Sequence, residues 1–240
     1  MKRYCLYLFI LIGISCSAEL KAQRNGTVYK GNDPAVRYTG RTLVSSDGSV
    51  AFDWVGTYLE TRFTGGRLSV KVSETGTSYY NVFVDGKLHK VVKVCGTDTL
   101  IHLVSGIDKR IHSLKIQKRS EGEFGKTTIH QFVLSGSGRL AEEPAVRTRH
   151  IEFIGNSLTC GYGTDGKHRD EPFLVETENC NLTFASMVAR YYDADYTLIA
   201  HSGRGAARNY GDSVRVSKVT MKDRMLNLSL IHISEPTRRS

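Results

Sequence analysis

The sequence predicts a β-sandwich followed by the opening of a parallel α/β domain. From about Tyr38 to Leu134, short runs of alternating apolar and polar residues follow one another without a helical pattern between them. After a small, polar stretch at 135–144, the order changes to strand, helix, strand. That order is typical of a parallel sheet covered by helices, so we place a domain boundary in the polar stretch.

The size and composition of the chain are those of a globular protein. Of its 240 residues, 40% are hydrophobic and 24% are charged, which indicates neither a disordered protein nor a multi-span membrane protein. The formal net charge is +9, but the basic residues are spread over predicted strands and turns instead of forming a stripe with aromatic residues. Nucleic-acid binding is therefore not predicted.

Residues 1–22 are typical of an export signal peptide. A basic start precedes an apolar core over 4–16 that is too short to span a bilayer, and small residues that suit a cleavage site follow it. We expect a periplasmic or extracellular protein with no membrane span in the mature chain. A cell-surface lipoprotein, anchored through Cys16, is less favoured because residues 13–15 match a lipoprotein signal poorly.

The β-rich segment, assigned to residues 24–140, contains five or more short strands. Residues 68–72 alternate with a period of two, as a half-buried strand does. Residues 81–84 and 87–92 flank Asp85–Gly86, a favoured two-residue turn, and so predict a β-hairpin. Further strands are predicted over 100–104, 113–117 and 128–134. This number of strands without helices favours a β-sandwich of jelly-roll type.

The second segment, assigned to residues 148–226, reads as α/β structure. An apolar strand is predicted at 151–154 and a second one at 196–200, leading into the glycine-rich turn 202–205. Between them, apolar residues recur at helical spacing over 183–192. Strand, helix, strand is the unit from which parallel sheets are built.

Ser157 is the candidate nucleophile. It follows the strand at 151–154 and Gly155, so a parallel strand would deliver its hydroxyl to the carboxyl edge of the sheet, where ligands of α/β proteins bind. A serine also needs a base and donors for the oxyanion, and the N–H groups of Ser157 and Gly203 are candidate donors. The α/β-hydrolase elbow does not match, because Thr159 stands where that motif has glycine. A serine that only forms a turn is the alternative.

Other residues that often mark ligand sites are better explained structurally. Trp54 lies in an apolar run and is predicted to anchor a core instead of binding sugar. Beyond the export signal, the cysteines Cys95, Cys160 and Cys180 form neither a disulfide framework nor a zinc pattern. Cys160 and Cys180 either pair or are buried thiols. The glycines of 161–166 match a dinucleotide fingerprint in letters only, since they do not join a strand directly to a helix.

Longer strings in the second segment resemble a known family. GNSLT at 155–159 resembles the first block of the SGNH (GDSL-like) hydrolases. With CGYG at 160–163 and the β-rich segment upstream, it is similar to carbohydrate esterase family 2, whose members deacetylate xylan and related polysaccharides. SGRG at 202–205 and RNY at 208–210 resemble that family's second block. The likeness extends over about 35–226 and implies a jelly roll followed by a flavodoxin-like SGNH hydrolase domain.

The resemblance assigns roles to individual residues. Ser157 would be the nucleophile and supply one oxyanion-hole N–H, and Gly203 would supply the second, with Gly205 as the alternative alignment. Asn156 departs from the family, in which Asp is commoner at this position; it keeps a turn-forming side chain and removes a charge. The resemblance implies no cofactor and no metal.

Two family elements, the oxyanion-hole Asn and the catalytic His, find no counterpart here and are expected beyond the matched region. His168 and His201 are not predicted to replace the base, because the SGNH base comes from a loop after the last strand; His201 is expected to pack or hydrogen-bond locally. Residues 229–240 resemble translated sequencing adapter, so we expect 227–240 to be an artefactual tail. Because 148–226 is short for a domain that covers both faces of its sheet, we expect an incomplete, largely inactive fragment.

For the complete protein, the resemblance implies an exported serine esterase, a carboxylic ester hydrolase similar to acetylxylan esterases. It would remove O-acetyl groups from plant-type polysaccharide, with an acetylated polysaccharide or oligosaccharide as its partner. The alternative is a carbohydrate-binding β-sandwich with an inactive hydrolase remnant, since residues 24–140 are long enough to fold alone.

Overall fold

A computed structural model describes residues 26–142, 145–229 and 233–234 of the chain. The predicted export signal and most of the predicted tail lie outside the described residues. The elements before residue 136 are strands, apart from one 3-10 turn at Gly122–Phe124: β1 (Thr27–Lys30), β2 (Val36–Thr39), β3 (Leu43–Val44), β4 (Val50–Phe52), β5 (Tyr58–Val84), β6 (Lys87–Lys118) and β7 (Thr127–Ser135).

These seven strands form one curled antiparallel sheet. Its order is β2-β5-β7-β4-β3, with β1 paired to β7 and β6 paired to β5. The end of β5, residues 80–84, pairs on one side with 87–92 and on the other with 114–118. The end of β5 therefore lies between two segments of β6, one on each edge, and the sheet curls around an apolar core. The largest buried side chains of that core include Phe63, Leu68, Leu103, Leu114, Phe132 and Leu134.

Two long strands replace several of the predicted short ones. The segments 68–72 and 81–84 belong to β5, while 87–92, 100–104 and 113–117 all belong to β6. The predicted breaks between them are wrong because glycines there bend the chain without ending its pairing. Gly96 and Gly106 have φ of 78° and 70°, and the register shifts where Gly96 pairs with Glu74. A glycine can take such angles without steric cost, so a strand can turn and continue.

The predicted hairpin is confirmed. Val84 pairs with Lys87, and the two residues between them, Asp85 and Gly86, have φ of 49° and 76°. Positive φ at both central positions is the type I′ geometry that matches the twist of the flanking strands. An Asp–Gly pair suits it because both residues tolerate the left-handed region.

The second part of the chain has a parallel strand pair joined by a helix. Its elements are β8 (His150–Gly155), α1 (Ser157–Cys160), 3-10 turns at Val175–Thr177 and Cys180–Leu182, α2 (Phe184–Tyr191), β9 (Asp195–Ala200) and α3 (Met221–Arg224). β8 and β9 pair in parallel from His150↔Asp195 to Gly155↔Ala200. The predicted strands and helix are confirmed to within one or two residues. A last antiparallel pair joins β10 (Asn227–Ser229) and β11 (Ile233–Ser234), within the predicted tail.

The helix α2 packs on the sheet through its small residues. Ala185, Ser186 and Ala189 are buried, whereas Phe184 and Tyr191, which belong to the apolar pattern that predicted the helix, are 55% and 83% exposed. Small side chains let the helix backbone approach Tyr196 and the other buried residues of β9 closely. None of the helices in the described ranges is long and apolar enough to cross a bilayer.

The two parts share a packed interface. Trp54, fully buried, packs against Ile199 and Met221, which confirms its predicted role as a core anchor. Next to it, Val55 and Tyr58 belong to a cluster that also contains Cys160, Cys180, Leu198 and Ala200. The strand β9 is therefore buried along its whole length between α2 and the β-rich part.

Candidate active site

Ser157 lies where a strand becomes a helix. β8 ends at Gly155, and Ser157 is the first residue of the short helix α1. Asn156 caps this helix, because its Oδ1 accepts a hydrogen bond of 3.1 Å from the Leu158 N–H. The turn-forming role expected of Asn156 is thereby confirmed, and the cap fixes the direction in which the Ser157 side chain leaves the backbone.

Backbone N–H groups near Ser157 are available to a ligand. The first N–H groups of a helix have no partner within it, and in the described part of the chain neither the N–H nor the Oγ of Ser157 hydrogen-bonds to another protein group. The same holds for the N–H of Gly203. The N–H of Gly205, in contrast, donates to Asn209 Oδ1 over 3.2 Å.

The two predicted turns meet at one open cavity of about 600 Å³. Its lining comes from the strand ends of β8 and β9 and from the segment that follows β9: Asn156, Ser157, Tyr162, Ser202, Gly203, Arg204, Gly205, Arg208 and Tyr210. The structure thus brings the candidate nucleophile together with both candidate glycines. Gly203 has a φ of 74°, a left-handed backbone conformation that residues other than glycine rarely adopt, and no atom lies within 4 Å of the place a Cβ would take.

Aromatic and basic side chains contribute to the lining of the cavity. The ring of Tyr162 stacks on Phe173 at a centroid distance of 3.7 Å and an angle of 10°, and Phe124 of the β-rich part lies 5.7 Å from Phe173. Tyr210 is 93% exposed. Stacking holds the Tyr162 ring in place, whereas Tyr210 offers both of its faces to a ligand.

Neither His168 nor His201 lines the cavity. His201 is buried and its Nε2 hydrogen-bonds to Glu123 Oε2, which confirms the predicted packing and hydrogen-bonding role. His168 is exposed in the loop after α1. Within the described residues, the cavity therefore has a candidate nucleophile and oxyanion donors but no histidine base.

The cysteines form no disulfide among the described residues, and the glycine-rich loop does not have the form of a nucleotide-binding loop. Cys160 and Cys180 are free thiols, both fully buried, and Cys95 is a free thiol at the surface. Burial raises the pKa of Cys160 and raises that of Cys180 to about 12, so both thiols are neutral. Residues 161–166 form consecutive turns and lead into no helix, unlike a dinucleotide-binding loop.

Glu121 is a residue of this site that the sequence analysis missed. Its Oε2 accepts a hydrogen bond of 2.8 Å from the backbone N–H of Ser202, and it touches the buried carboxyl of Glu178 through its own N–H. Glu121 belongs to the β-rich part, 81 positions before Ser202. No local pattern in the sequence signals such a contact, because only the packing of the two parts creates it.

Gly161, which ends α1, is expected to tolerate alanine much less well than Gly163. Both have positive φ, 82° and 68°, so alanine costs each about 1–2 kcal/mol of backbone energy. At Gly161 alone, the new Cβ would lie 2.5 Å from the carbonyl of Asn179, whereas at Gly163 it meets nothing within 4 Å. Overpacking should add about 1–3 kcal/mol for Gly161→Ala. Urea unfolding of both variants measures this difference, and equal losses would contradict it.

Comparison with known proteins gives a consistent result. The chain matches the carbohydrate esterase 2 N-terminal family model over residues 38–144. It is 34% identical over 180 residues to the cellulase/esterase CelE of Acetivibrio thermocellus, covering 75% of this chain and 22% of that protein. It is 28% identical over 180 residues to an acetylxylan esterase/glucomannan deacetylase of Cellvibrio japonicus, covering 75% and 50%.

A solved structure agrees with these relatives. A family two carbohydrate esterase from Clostridium thermocellum, in complex with cellohexaose, superimposes with a TM-score of 0.75 at 32% identity, covering 80% of this chain and 58% of that one. The chain spans half or less of the length of the two curated relatives described above. The chain carries the N-terminal domain of carbohydrate esterase family 2, and the relatives described above are esterases, the solved one a family two carbohydrate esterase.

Proposed function

We propose that the protein containing this chain is an exported serine esterase that removes acetyl groups from polysaccharide hydroxyls. In this proposal the β-rich part is a jelly roll and the second part opens an SGNH hydrolase domain. The observation that carries the proposal is the meeting of the Ser157 hydroxyl and the Gly203 N–H, neither held by another described group, at one open cavity. The esterase relatives support the same chemistry.

The proposed reaction is acyl transfer through an acetyl-enzyme. Ser157 Oγ attacks the acetyl carbonyl carbon and gives its proton to a general base that the described lining of the cavity does not supply. The N–H groups of Ser157 and Gly203 stabilise the oxyanion that forms. The sugar oxygen then leaves with the proton. Water, activated by the same base, releases acetate and restores the serine.

Gly203 suits the second oxyanion donor better than Gly205. The N–H of Gly205 is already bonded to Asn209, and its carbonyl accepts from the Met221 N–H over 2.9 Å. A Cβ at Gly205 would lie 2.0 Å from the Arg208 carbonyl oxygen, so this glycine is required by packing. Gly203 has an unused N–H and space around it.

The cavity supports a carbohydrate substrate. Tyr162 and Tyr210 contribute aromatic rings to the lining of the cavity, and Arg204 and Arg208 contribute donors; Tyr162, Tyr210 and Arg208 are exposed. Aromatic rings cover the apolar faces of sugar rings, while charged donors bind hydroxyls. The binding of cellohexaose by the Clostridium thermocellum relative is consistent with this assignment.

A covalent probe tests the proposal. Protein expressed from its complete open reading frame is treated with a fluorophosphonate, which reacts only with an activated serine, and the adduct is located by peptide mapping. We expect one adduct, on Ser157, whose formation acetylated xylo-oligosaccharides slow. Ser202, which also lines the cavity, serves as the internal control and stays unmodified.

The competing function is glycan binding without hydrolysis, favoured by the lack of a histidine in the described lining of the cavity. Under that alternative, polysaccharide retards the protein in affinity electrophoresis, but Ser157 takes up no label and no acetate is released. An adduct on Ser202 alone would instead show that the wrong serine has been assigned as nucleophile.

A further inference from the structure

A buried carboxyl pair lies beneath the cavity. Glu121 follows β6 and Glu178 follows the 3-10 turn Val175–Thr177; their relative exposures are 1% and 0%. The backbone N–H of Glu121 donates to Glu178 Oε2 over 2.8 Å. Acidic side chains are rarely buried completely unless a partner compensates for the loss of water.

Glu121 connects the pair to both catalytic turns. Its Oε2 accepts the Ser202 N–H at 2.8 Å, immediately before Gly203. The same oxygen lies 3.5 Å from the Sγ of Cys160, the last residue of the helix that begins with Ser157. One carboxylate of the β-rich part therefore touches the segments that carry the nucleophile and the second oxyanion donor.

The surroundings favour one negative charge on the pair instead of two. The titratable groups that face it are Lys118, Arg119, Cys160 and Cys180. The Lys118 ammonium donates to Ser78 Oγ and Gly125 O. Arg119 hydrogen-bonds to the backbone carbonyl of Glu178 and not to its carboxyl. In the described part of the chain, neither cation hydrogen-bonds to a carboxylate oxygen of the pair. Two ionised carboxylates this close and this buried repel strongly.

One carboxyl oxygen of Glu178, Oε1, is the place where a proton would be accommodated. Glu178 Oε1 is buried and has no donor among the described residues. A proton on this carboxyl would turn an unsatisfied acceptor into a donor. The two carboxyls are close, since one oxygen of each and the Cys160 Sγ all lie within 4.8 Å of one another. Burial, and then the charge of Glu121, raise the pKa of Glu178 well above its usual range.

We propose that Glu121 and Glu178 share one proton, carried by Glu178, and that Glu121 is a positioning residue for the Ser202–Gly203 turn. The positioning role rests on the proposed esterase function, whereas the shared proton does not. The cluster Glu121, Cys160 and Glu178 also has the composition of a metal site. We favour a proton over a metal ion, because the Oε2 atoms of Glu121 and Glu178 already accept hydrogen bonds from backbone N–H groups and the Cys160 thiol is neutral.

The backbone amide of Ser202 reports on this arrangement without any turnover. In isotope-labelled protein from the complete reading frame, its NMR proton shift is expected downfield at neutral pH, because it donates to a carboxylate. The shift is also expected to titrate, with a midpoint well above the usual range of a glutamate. In Glu178→Gln, a neutral copy of the protonated acid, the downfield shift should remain and the titration should disappear. In Glu121→Gln, the shift should move upfield at every pH.

Glu176→Gln is the matched control, since it removes the same charge two residues before Glu178 from an exposed side chain. It should leave the shift and the midpoint as in the parent. A titration that persists in Glu178→Gln, an unchanged Ser202 shift in Glu121→Gln, or failure of Glu178→Gln to fold would each overturn the proposal. One equivalent of metal in the purified parent would do the same. Because the readout is spectroscopic, it stays interpretable if no esterase activity is found.

Discussion

Replacement of Ser157 by alanine is expected to lower kcat for acetate release by about 10⁴-fold or more, as loss of a catalytic serine does elsewhere. Alanine removes the only atom proposed to attack the acetyl carbon, while the backbone N–H groups of residues 157 and 203 stay in place. KM should therefore change little. The measurement is acetate release from acetylated xylan or glucomannan by protein from the complete reading frame.

Leu158→Ala is the matched control for this experiment. Leu158 is the neighbouring residue in α1 and is 76% exposed, so its truncation perturbs the same short helix without touching the proposed chemistry. A surface substitution of this kind should change kcat by no more than about twofold. If Ser157→Ala hydrolyses as fast as the parent, the serine mechanism is wrong.

The sequence predicted those parts of the fold and site that depend on neighbouring residues. The type I′ hairpin follows from Asp85 and Gly86, and the position of Ser157 at the end of a strand follows from the apolar run before Gly155. In each case the residues that determine the geometry lie within a few positions of one another, where local sterics and hydrogen bonding are decisive.

Features that depend on tertiary packing could not be predicted in the same way. The continuous strands β5 and β6 need partners on both edges, and Gly96 and Gly106 give no sign in the sequence of whether they bend a strand or end it. The buried face of α2 was also unpredictable, because the space that small residues must fill is set by β9 and the β-rich part. Glu121 reaches Ser202 across that same interface.

A network of four charged side chains joins the two parts at the far end of β9. Asp195 accepts hydrogen bonds from Arg37 Nη1 at 2.6 Å, Arg147 Nη1 at 2.7 Å and the Tyr58 hydroxyl at 2.7 Å. Glu60 pairs with the same two arginines. The side chains of Arg37, Glu60 and Asp195 are only 11%, 11% and 6% exposed, so the charges depend on one another and not on water.

Asp195→Asn is expected to lower the free energy of unfolding by about 3–5 kcal/mol, the usual cost of removing one partner from a buried ion network. Arg37, Arg147 and Tyr58 all donate hydrogen bonds to Asp195. An asparagine here has one NH2 group that cannot accept a hydrogen bond, so this group would face a donor. Asp193→Asn is the matched control. Its carboxylate also pairs with Arg147, at 3.3 Å, but is 89% exposed, so its loss should cost less than about 1 kcal/mol. Urea unfolding at neutral pH measures both.

The pH dependence separates the charge of Asp195 from its shape. Burial alone would raise the pKa of Asp195, but the hydrogen bonds from Arg37, Tyr58 and Arg147 outweigh it and lower the pKa from 3.8 to about 2. Because the folded value is the lower one, the stabilisation is fully present above the unfolded pKa and is lost as the pH falls through the folded one. The stability gap between the parent and Asp195→Asn should therefore shrink on acidification through this range. A gap of constant size would assign the loss to packing instead of charge.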